Sequence, residues 1–110
     1  MGNKSYKLRY LPIFEQDLNN TVNYIANVLK NEDAALRLIN DVEAAILKRL
    51  NNPVSFEPYH SVKQRDYPYY RIYVKNYVVY YVVIDDVMEV RRLMYGARDI
   101  DNLFYLPYYK

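Results

Sequence analysis

Four arginines punctuate a tyrosine-rich stretch near the C-terminal end of the chain: Arg71, Arg91, Arg92 and Arg98, in company with Tyr69, Tyr73 and Tyr95. Guanidinium forks bind phosphate bidentately, and tyrosine rings stack on nucleic-acid bases. Arg71 alternates with Tyr69 and Tyr73, so in an extended strand the three share a face. Arg91 and Arg92 are neighbours, so alternation sends them to opposite faces. One joins Arg71; the other needs a buried partner or a sheet edge, with Glu89, Asp86 or a helix carboxylate as candidates. Arg98 follows Gly96 in a turn at the strand end. With Tyr95 these residues predict a basic, tyrosine-lined concavity. Spacing alone favours a plainer role for the arginines, as salt-bridge partners and cover for apolar surface.

Other chemistry is sparse. Cysteine is absent and His60 is the only histidine. That removes thiol nucleophiles, disulfides and Cys- or His-cluster metal sites, and no cofactor or metal is expected. Asp85-Asp86 reads as a turn, since adjacent strand-end carboxylates point apart. Lys63-Gln64-Arg65 reads as a solvated loop run. With only Gly2 and Gly96 there is no glycine-rich phosphate loop. Net charge is +2, too small to argue for nucleic acid on its own. No run is apolar enough to span a bilayer and no signal peptide is visible, so a soluble cytoplasmic protein is the default.

The elements that must position these residues follow from periodicity. Tyr69–Asp99 holds three β-rich runs separated by Lys75-Asn76 and Asp85-Asp86, the pattern of an antiparallel meander. The middle run, Tyr77 to Ile84, is apolar throughout, so it should be central and covered on both faces. Upstream, Tyr6–Leu11 alternates apolar and basic residues, an edge strand with Lys7 and Arg9 toward water. Pro12 suits the first turn of a helix. Phe14, Leu18, Val22, Ile25 and Leu29 form its stripe to about Lys30. Asn31 is placed to cap a second helix with stripe Leu38, Val42, Ile46 and Leu50, stopped by Asn51-Asn52-Pro53. Val54–Pro68 is a long loop, Asp99–Phe104 one or two helical turns, 1–5 a frayed start and 105–110 a tail. The expectation is a single domain over 1–110 of α+β class, β-α-α-β-β-β, with a helical hairpin on one face of an antiparallel sheet.

That order, with three local runs, resembles the RelE/ParE superfamily of type II toxin–antitoxin toxins, from about Tyr6 to Phe104. The run Val90–Asp99 is similar to the end of the last strand in ParE-like members: Arg92, Gly96, Arg98 and Asp99 match, and Tyr95 stands where histidine is common. The alanine-bearing hairpin ending in Asn-Pro, and Tyr80–Asp86, are similar as well. The resemblance implies a growth-inhibiting toxin with a cognate antitoxin, assembled as a homodimer or a toxin–antitoxin hetero-oligomer.

Two targets are implied by the two branches. ParE-like members block DNA gyrase without chemistry of their own. RelE-like members cut mRNA on the translating ribosome, and carried over by position their catalytic set would be Arg71, Arg98 and Tyr95. The ribonuclease branch usually places an arginine where this chain has Val78, and some members use a tyrosine where it has Phe104. The apolar third strand is like the gyrase branch, which stands first, with Arg91, Arg92, Tyr69 and Tyr73 as target-binding candidates. A ribonuclease is the alternative and a non-toxic relic the third reading.

Overall fold

The computed structural model describes residues 5–59 and 66–96. The elements run β1 (Lys7–Tyr10), α1 (Pro12–Asn23), a π-helical turn (Tyr24–Val28), α2 (Glu32–Arg49), β2 (Tyr70–Val74), β3 (Tyr77–Ile84) and β4 (Val87–Tyr95). His60, Lys63, Gln64, Arg65, Arg98 and the expected turns at 99–104 lie outside the described residues.

Local chemistry explains the helical boundaries. Pro12 occupies the first turn of α1, where its missing N–H costs no hydrogen bond. The Asn31 side chain accepts from Ala34 N–H at 3.0 Å and caps α2. Glu32 and Asp33 in its first turn, and Lys48 and Arg49 in its last, suit the helix dipole. The stripe of α1 departs from expectation at its end. Leu29 N–H donates to Tyr24 O at 3.1 Å, a five-residue step, and Lys30 turns to φ 56°. The extra residue rotates the later side chains off the 3.6-residue stripe. Ile25 stays buried, but Leu29 is 55% exposed.

The sheet order is β1-β4-β3-β2. β2, β3 and β4 form the expected antiparallel meander, and its two-residue turns place Lys75 and Asp85 at positive φ. The purely antiparallel sheet expected from the sequence is corrected in one respect: β1 lies parallel to β4, with Arg9 opposite Glu89. The hairpin is the reason. The chain leaves β1, runs out and back through two antiparallel helices, and the last strand returns alongside the first in the same direction.

β3 is covered on both faces. On the helix side Val79 and Tyr81 join Phe14, Leu38, Val42, Ile46, Ile72, Met88, Val90 and Leu93. Each such fully buried side chain stabilises the fold by about 2 kcal/mol. On the far side Val78, Tyr80 and Val82 pack with Tyr69 and Met94, flanked by Tyr59 and Ile84. The loop after α2 is pinned to the sheet at its start. Tyr81 Oη donates to Pro53 O at 2.6 Å and accepts from Arg49 Nη1 at 2.9 Å, while Arg49 also lies 3.5 Å over the Phe56 ring.

The two adjacent arginines of β4 are parted by a bulge. Tyr81 pairs with Val90 and Tyr80 with Arg92, so Arg91 is an extra residue. Strict alternation after Met88 and Val90 would drive Arg92 into the core; the bulge resets the phase so that Leu93 takes that place. Arg92 instead reaches α1, where Nε and Nη2 meet the two Asp17 oxygens at 2.7 and 3.0 Å. Arg91 stays on the far face, with Nε 2.7 Å from Glu89 Oε2 and Nη1 donating to Tyr69 Oη at 3.0 Å.

Asp17 does a second job. β1 has four residues and β4 nine, and the pairing ends at Tyr10 opposite Val90. The outer edge of β4 beyond that point has backbone donors to satisfy. Leu93 N–H donates to Asp17 Oδ2 at 3.0 Å, so the first helix closes the edge that the first strand leaves open. Asp17→Ala should therefore cost about 3 kcal/mol, the scale of a broken, largely buried ion pair plus an unmet N–H. Asp17→Asn, which retains an acceptor for Leu93 N–H, should cost less. Urea denaturation measures both, and a loss under about 0.5 kcal/mol for Asp17→Ala would refute the edge-closing role.

Glu89, 5% exposed, joins β1 to β4 through charge. Its Oε1 lies 2.6 Å from Arg9 Nη2 and its Oε2 2.7 Å from Arg91 Nε. Burial works to raise the carboxyl, but hydrogen bonds from Arg9 and Arg91 and their charges outweigh it and hold it below its ordinary 4.5. The folded carboxyl binds its proton at lower pH than the unfolded one. Its contribution to stability is thus fully present above the ordinary carboxylate range and is lost as pH falls through the depressed folded value. The acid limb of a stability–pH curve should flatten in Glu89→Gln; an unchanged slope below about pH 4.5 would show that the triad does not couple to folding.

Candidate functional site

The far face of the sheet carries a concavity of about 390 Å3 at the β2 side, lined by Tyr59, Arg71, Tyr73, Lys75, Asn76, Val78, Tyr80, Tyr95 and Gly96. Strand alternation brings these groups together. Arg71 and Tyr73 are the outward residues of β2, between the buried Tyr70, Ile72 and Val74. Across the ladder Arg71 pairs with Tyr80 and Tyr73 with Val78, which form the floor. Tyr59 closes one side, held by its N–H donating to Tyr69 O at 2.6 Å. Gly96 closes another, its N–H donating to Asn76 O at 2.7 Å with φ 69°, a left-handed value that glycine takes without strain.

Arg71 is the centre of the concavity. Its guanidinium carbon lies 5.0 Å from the Tyr59 ring centroid and 5.8 Å from that of Tyr73. Cation–π attraction thus holds it between two rings. Among the described residues it meets no carboxylate. Lys75 lies at the rim with its ammonium 3.2 Å from Asp41, both well exposed, a pair of small energetic weight. Tyr80 lies beneath Arg71. Burial pushes its phenol up to about 12, against the lowering charge of Arg71 and with Tyr73 and Tyr59 adding to the rise. Tyr80 is therefore a hydrogen-bond donor at neutral pH and not a base.

The sequence-predicted residues divide into two groups. Arg71, Tyr73 and Tyr95 come together at the concavity. Tyr73 is 66% and Tyr95 58% exposed, the latter with its ring edge-on to Tyr77 at 5.3 Å. Arg91, Arg92 and Tyr69 do not line it. Tyr69 is 2% exposed in the far-side cluster, Arg91 is tied to Glu89 and Tyr69, and Arg92 is tied to Asp17. Arg98 lies outside the described residues. Sequence reasoning passed over Tyr59, Lys75, Asn76 and Tyr80 as site residues. Tyr80 had a usable signal, since it falls opposite Arg71 once the two-residue turn Lys75-Asn76 fixes the register. Tyr59 had none, because a loop carries no periodicity.

A second, smaller hollow of about 180 Å3 lies on the opposite side, between the helices and the end of β1. Tyr10, Phe14, Leu18, Ile39, Val42 and Ile46 line it, with Glu15 and Glu43 among its walls. Burial and then the two carboxylates raise the Tyr10 phenol above its ordinary value. Among the described residues no cluster of three His, Asp or Glu could hold a metal ion, and no helix is long and apolar enough to cross a membrane.

Comparison with known proteins places this geometry in a family. No curated protein sequence matches. Among solved structures, a chain of the chromosomal ParDE toxin–antitoxin system from P. aeruginosa is similar with TM-score 0.66 and 12% identity, over 86% of this chain and 99% of that one. YafQ from E. coli strain BL21(DE3) is similar with TM-score 0.52 and 15% identity, over 82% and 92%. The E. coli DinJ–YafQ toxin–antitoxin complex gives TM-score 0.52 and 12% identity, over 83% and 92%. At such identities the likeness speaks for the fold alone. The family described as "ParE toxin of type II toxin-antitoxin system, parDE" matches residues 8–100 of the sequence. With that match across most of its length, the chain belongs to the ParE toxin family and is the toxin component of a type II toxin–antitoxin system.

Proposed function

We propose that the protein stops bacterial growth by binding DNA gyrase, without chemistry of its own, and that a cognate antitoxin holds it in check. The observation that carries this reading is the make-up of the concavity. Cutting RNA at a 2′-OH needs a group that takes a proton near neutral pH, placed beside the cations that stabilise the phosphorane. Among the described residues the lining holds no histidine and no carboxylate, and the Tyr80 phenol keeps its proton to about pH 12. Val78, at the position where the ribonuclease branch usually has an arginine, is 5% exposed and forms part of the floor. The family match over 8–100 points the same way.

In this reading Tyr73 and Arg71 are contact residues, and Arg91, Arg92 and Tyr69 are scaffold that sets the strand register beneath them. A large exposed ring beside a cation is the usual make-up of a contact that dominates binding energy. The antitoxin is inferred from the family and from the toxin–antitoxin complexes among the similar structures. The hollow bounded by Tyr10, Phe14, Leu18 and Ile39 is a suitable seat for one of its apolar side chains.

Purified protein should inhibit supercoiling by gyrase, and Tyr73→Ala should raise the inhibitory concentration by about tenfold, equivalent to ~1.4 kcal/mol. Arg37→Ala, on the exposed face of α2, should leave it unchanged. In cells lacking antitoxin, pulse labels should show DNA synthesis collapsing first. Early collapse of protein synthesis with new codon-positioned cuts in mRNA would overturn gyrase in favour of the ribosome, with Arg71, Arg98 and Tyr95 then the residues to test. No growth arrest would leave the relic.

A further inference from the structure

We propose that Arg49, at the end of α2 and outside the concavity, is a positioning residue that holds Arg71 and Tyr59 in place from behind the sheet edge, on the reading of the Arg71 face as the surface that meets gyrase. Three contacts do the holding. Arg49 Nη1 donates to the backbone carbonyl of Arg71 at 3.1 Å. The same nitrogen donates to Tyr81 Oη at 2.9 Å, and Tyr81 Oη donates in turn to Pro53 O at 2.6 Å. The guanidinium carbon lies 3.5 Å from the centroid of the Phe56 ring. A planar guanidinium makes in-plane hydrogen bonds and a face-on stack at once, which a lysine ammonium does not.

Each contact leads to the concavity. Val74 and Tyr77 flank the two-residue turn between β2 and β3, so they form a hydrogen-bonded pair. Alternation from that pair turns the Arg71 carbonyl toward the outer edge of β2, where among the described residues no strand lies. Arg49 supplies the donor that a further strand would have supplied. The Arg71 side chain leaves the same residue toward the far face, so a fixed carbonyl fixes the direction from which the guanidinium enters the concavity. The other two contacts act on the loop after α2. Pro53 is fully buried and tethered at its carbonyl. Phe56 is 49% exposed and belongs to neither apolar cluster, so its stack on Arg49 anchors it. Three residues on, Tyr59 closes one side of the concavity, its ring 5.0 Å from the Arg71 guanidinium carbon. Arg49 thus joins the backbone of the central cation to the loop that carries one of its two rings. Helix chemistry alone does not ask for this. Lys48 already places a cation in the last turn of α2, and the acceptors of Arg49 lie on β2 and β3 instead of its own helix.

Hydrogen exchange of the full chain, read by NMR residue by residue, separates positioning from plain stability. The Tyr59 amide is protected by its bond to Tyr69 O and reports opening of the loop, while the buried Val79 and Val82 of β3 report global unfolding. Arg49→Met keeps an apolar stem and loses the donors and the planar face. It should speed exchange at Tyr59 at least about tenfold more than at Val79 and Val82, and raise the inhibitory concentration against gyrase supercoiling about tenfold with Arg71 and Tyr73 both present. Tyr81→Phe keeps the ring and drops the link to Pro53. It should loosen Tyr59 by a smaller factor, about threefold, and it keeps the test sound if Arg49→Met folds poorly. Arg37→Ala on α2 should match the parent in both measurements. Equal acceleration at Tyr59, Val79 and Val82 in Arg49→Met would reduce Arg49 to a stability residue and overturn the proposal. So would a loosened Tyr59 with undiminished inhibition. A parent protein that leaves supercoiling untouched, with Tyr59 selectively loosened in Arg49→Met, sinks the gyrase reading and upholds the positioning of Arg71 and Tyr59. A parent that inhibits, with exchange at Tyr59 unchanged in both variants, sinks the positioning role alone.

Discussion

The structure depends on how the open edge of one strand is closed. β4 is nine residues long and its parallel partner β1 only four, so more than half of the outer edge of β4 lacks a strand beside it. An unmatched edge with a row of N–H and C=O groups is both a loss of stability and an invitation to aggregation. Asp17 solves it from α1: one carboxylate accepts from the Leu93 N–H and from Nε and Nη2 of Arg92. The helix is thereby fixed over the end of β4, and its Phe14 is carried into the core cluster that also holds Val90 and Leu93. Placement of the hairpin, closure of the edge and the disposition of Arg92 are one arrangement.

The bulge at Arg91 is what makes the arrangement compatible with a packed core. Without it, the two-residue period would put Arg92 on the helix-side row after Met88 and Val90, leaving a charge among apolar side chains at a cost of several kcal/mol. With it, Leu93 enters the row and each arginine finds its own carboxylate, Asp17 for one and Glu89 for the other. Glu89 in turn serves Arg9 of β1, so the same bulged region ties the edge strand to the sheet through charge as well as through backbone pairing. Arg91 then reaches Tyr69, the residue just before β2, linking β1 and β4 to the entry of β2 across the far face.

Much of this was legible in the sequence, for identifiable reasons. Turn dipeptides flanked by Tyr and Val runs gave the meander, an unbroken apolar run gave the central strand, and Pro12 and Asn31 marked the starts of the helices. These signals are local. What was not legible depends on through-space events. The parallel pairing of β1 with β4 is set by the path of the hairpin, and β1 alone has no preference for direction. The π turn that turns Leu29 outward leaves no mark in a hydrophobic stripe. The bulge was hidden because alternation assumes a regular ladder, yet a basic pair inside an otherwise alternating strand was a hint that the ladder shifts there. Of the site, the β2 residues Arg71 and Tyr73 could be read from their spacing, while Tyr59 came from a loop with no pattern.

The contrast between Arg71 and the arginines of β4 separates scaffold from site. Arg91 and Arg92 have carboxylates at hydrogen-bond distance and are largely withdrawn from solvent. Such pairs cost desolvation, and their use is to fix register and orientation. Arg71 has rings where the others have carboxylates. Cation–π contacts steady a guanidinium without neutralising it, and among the described residues no carboxylate meets Arg71, so its field extends into the concavity. A protein that needed Arg71 only for stability would be better served by an acidic neighbour on the adjacent strand. The position opposite it is instead Tyr80, a phenol kept neutral by burial. A cation that, among the described residues, faces rings and no carboxylate, over a neutral floor and beside exposed tyrosines, is an arrangement whose energy improves when an anion arrives, and that is the physical basis for proposing this face as the contact surface.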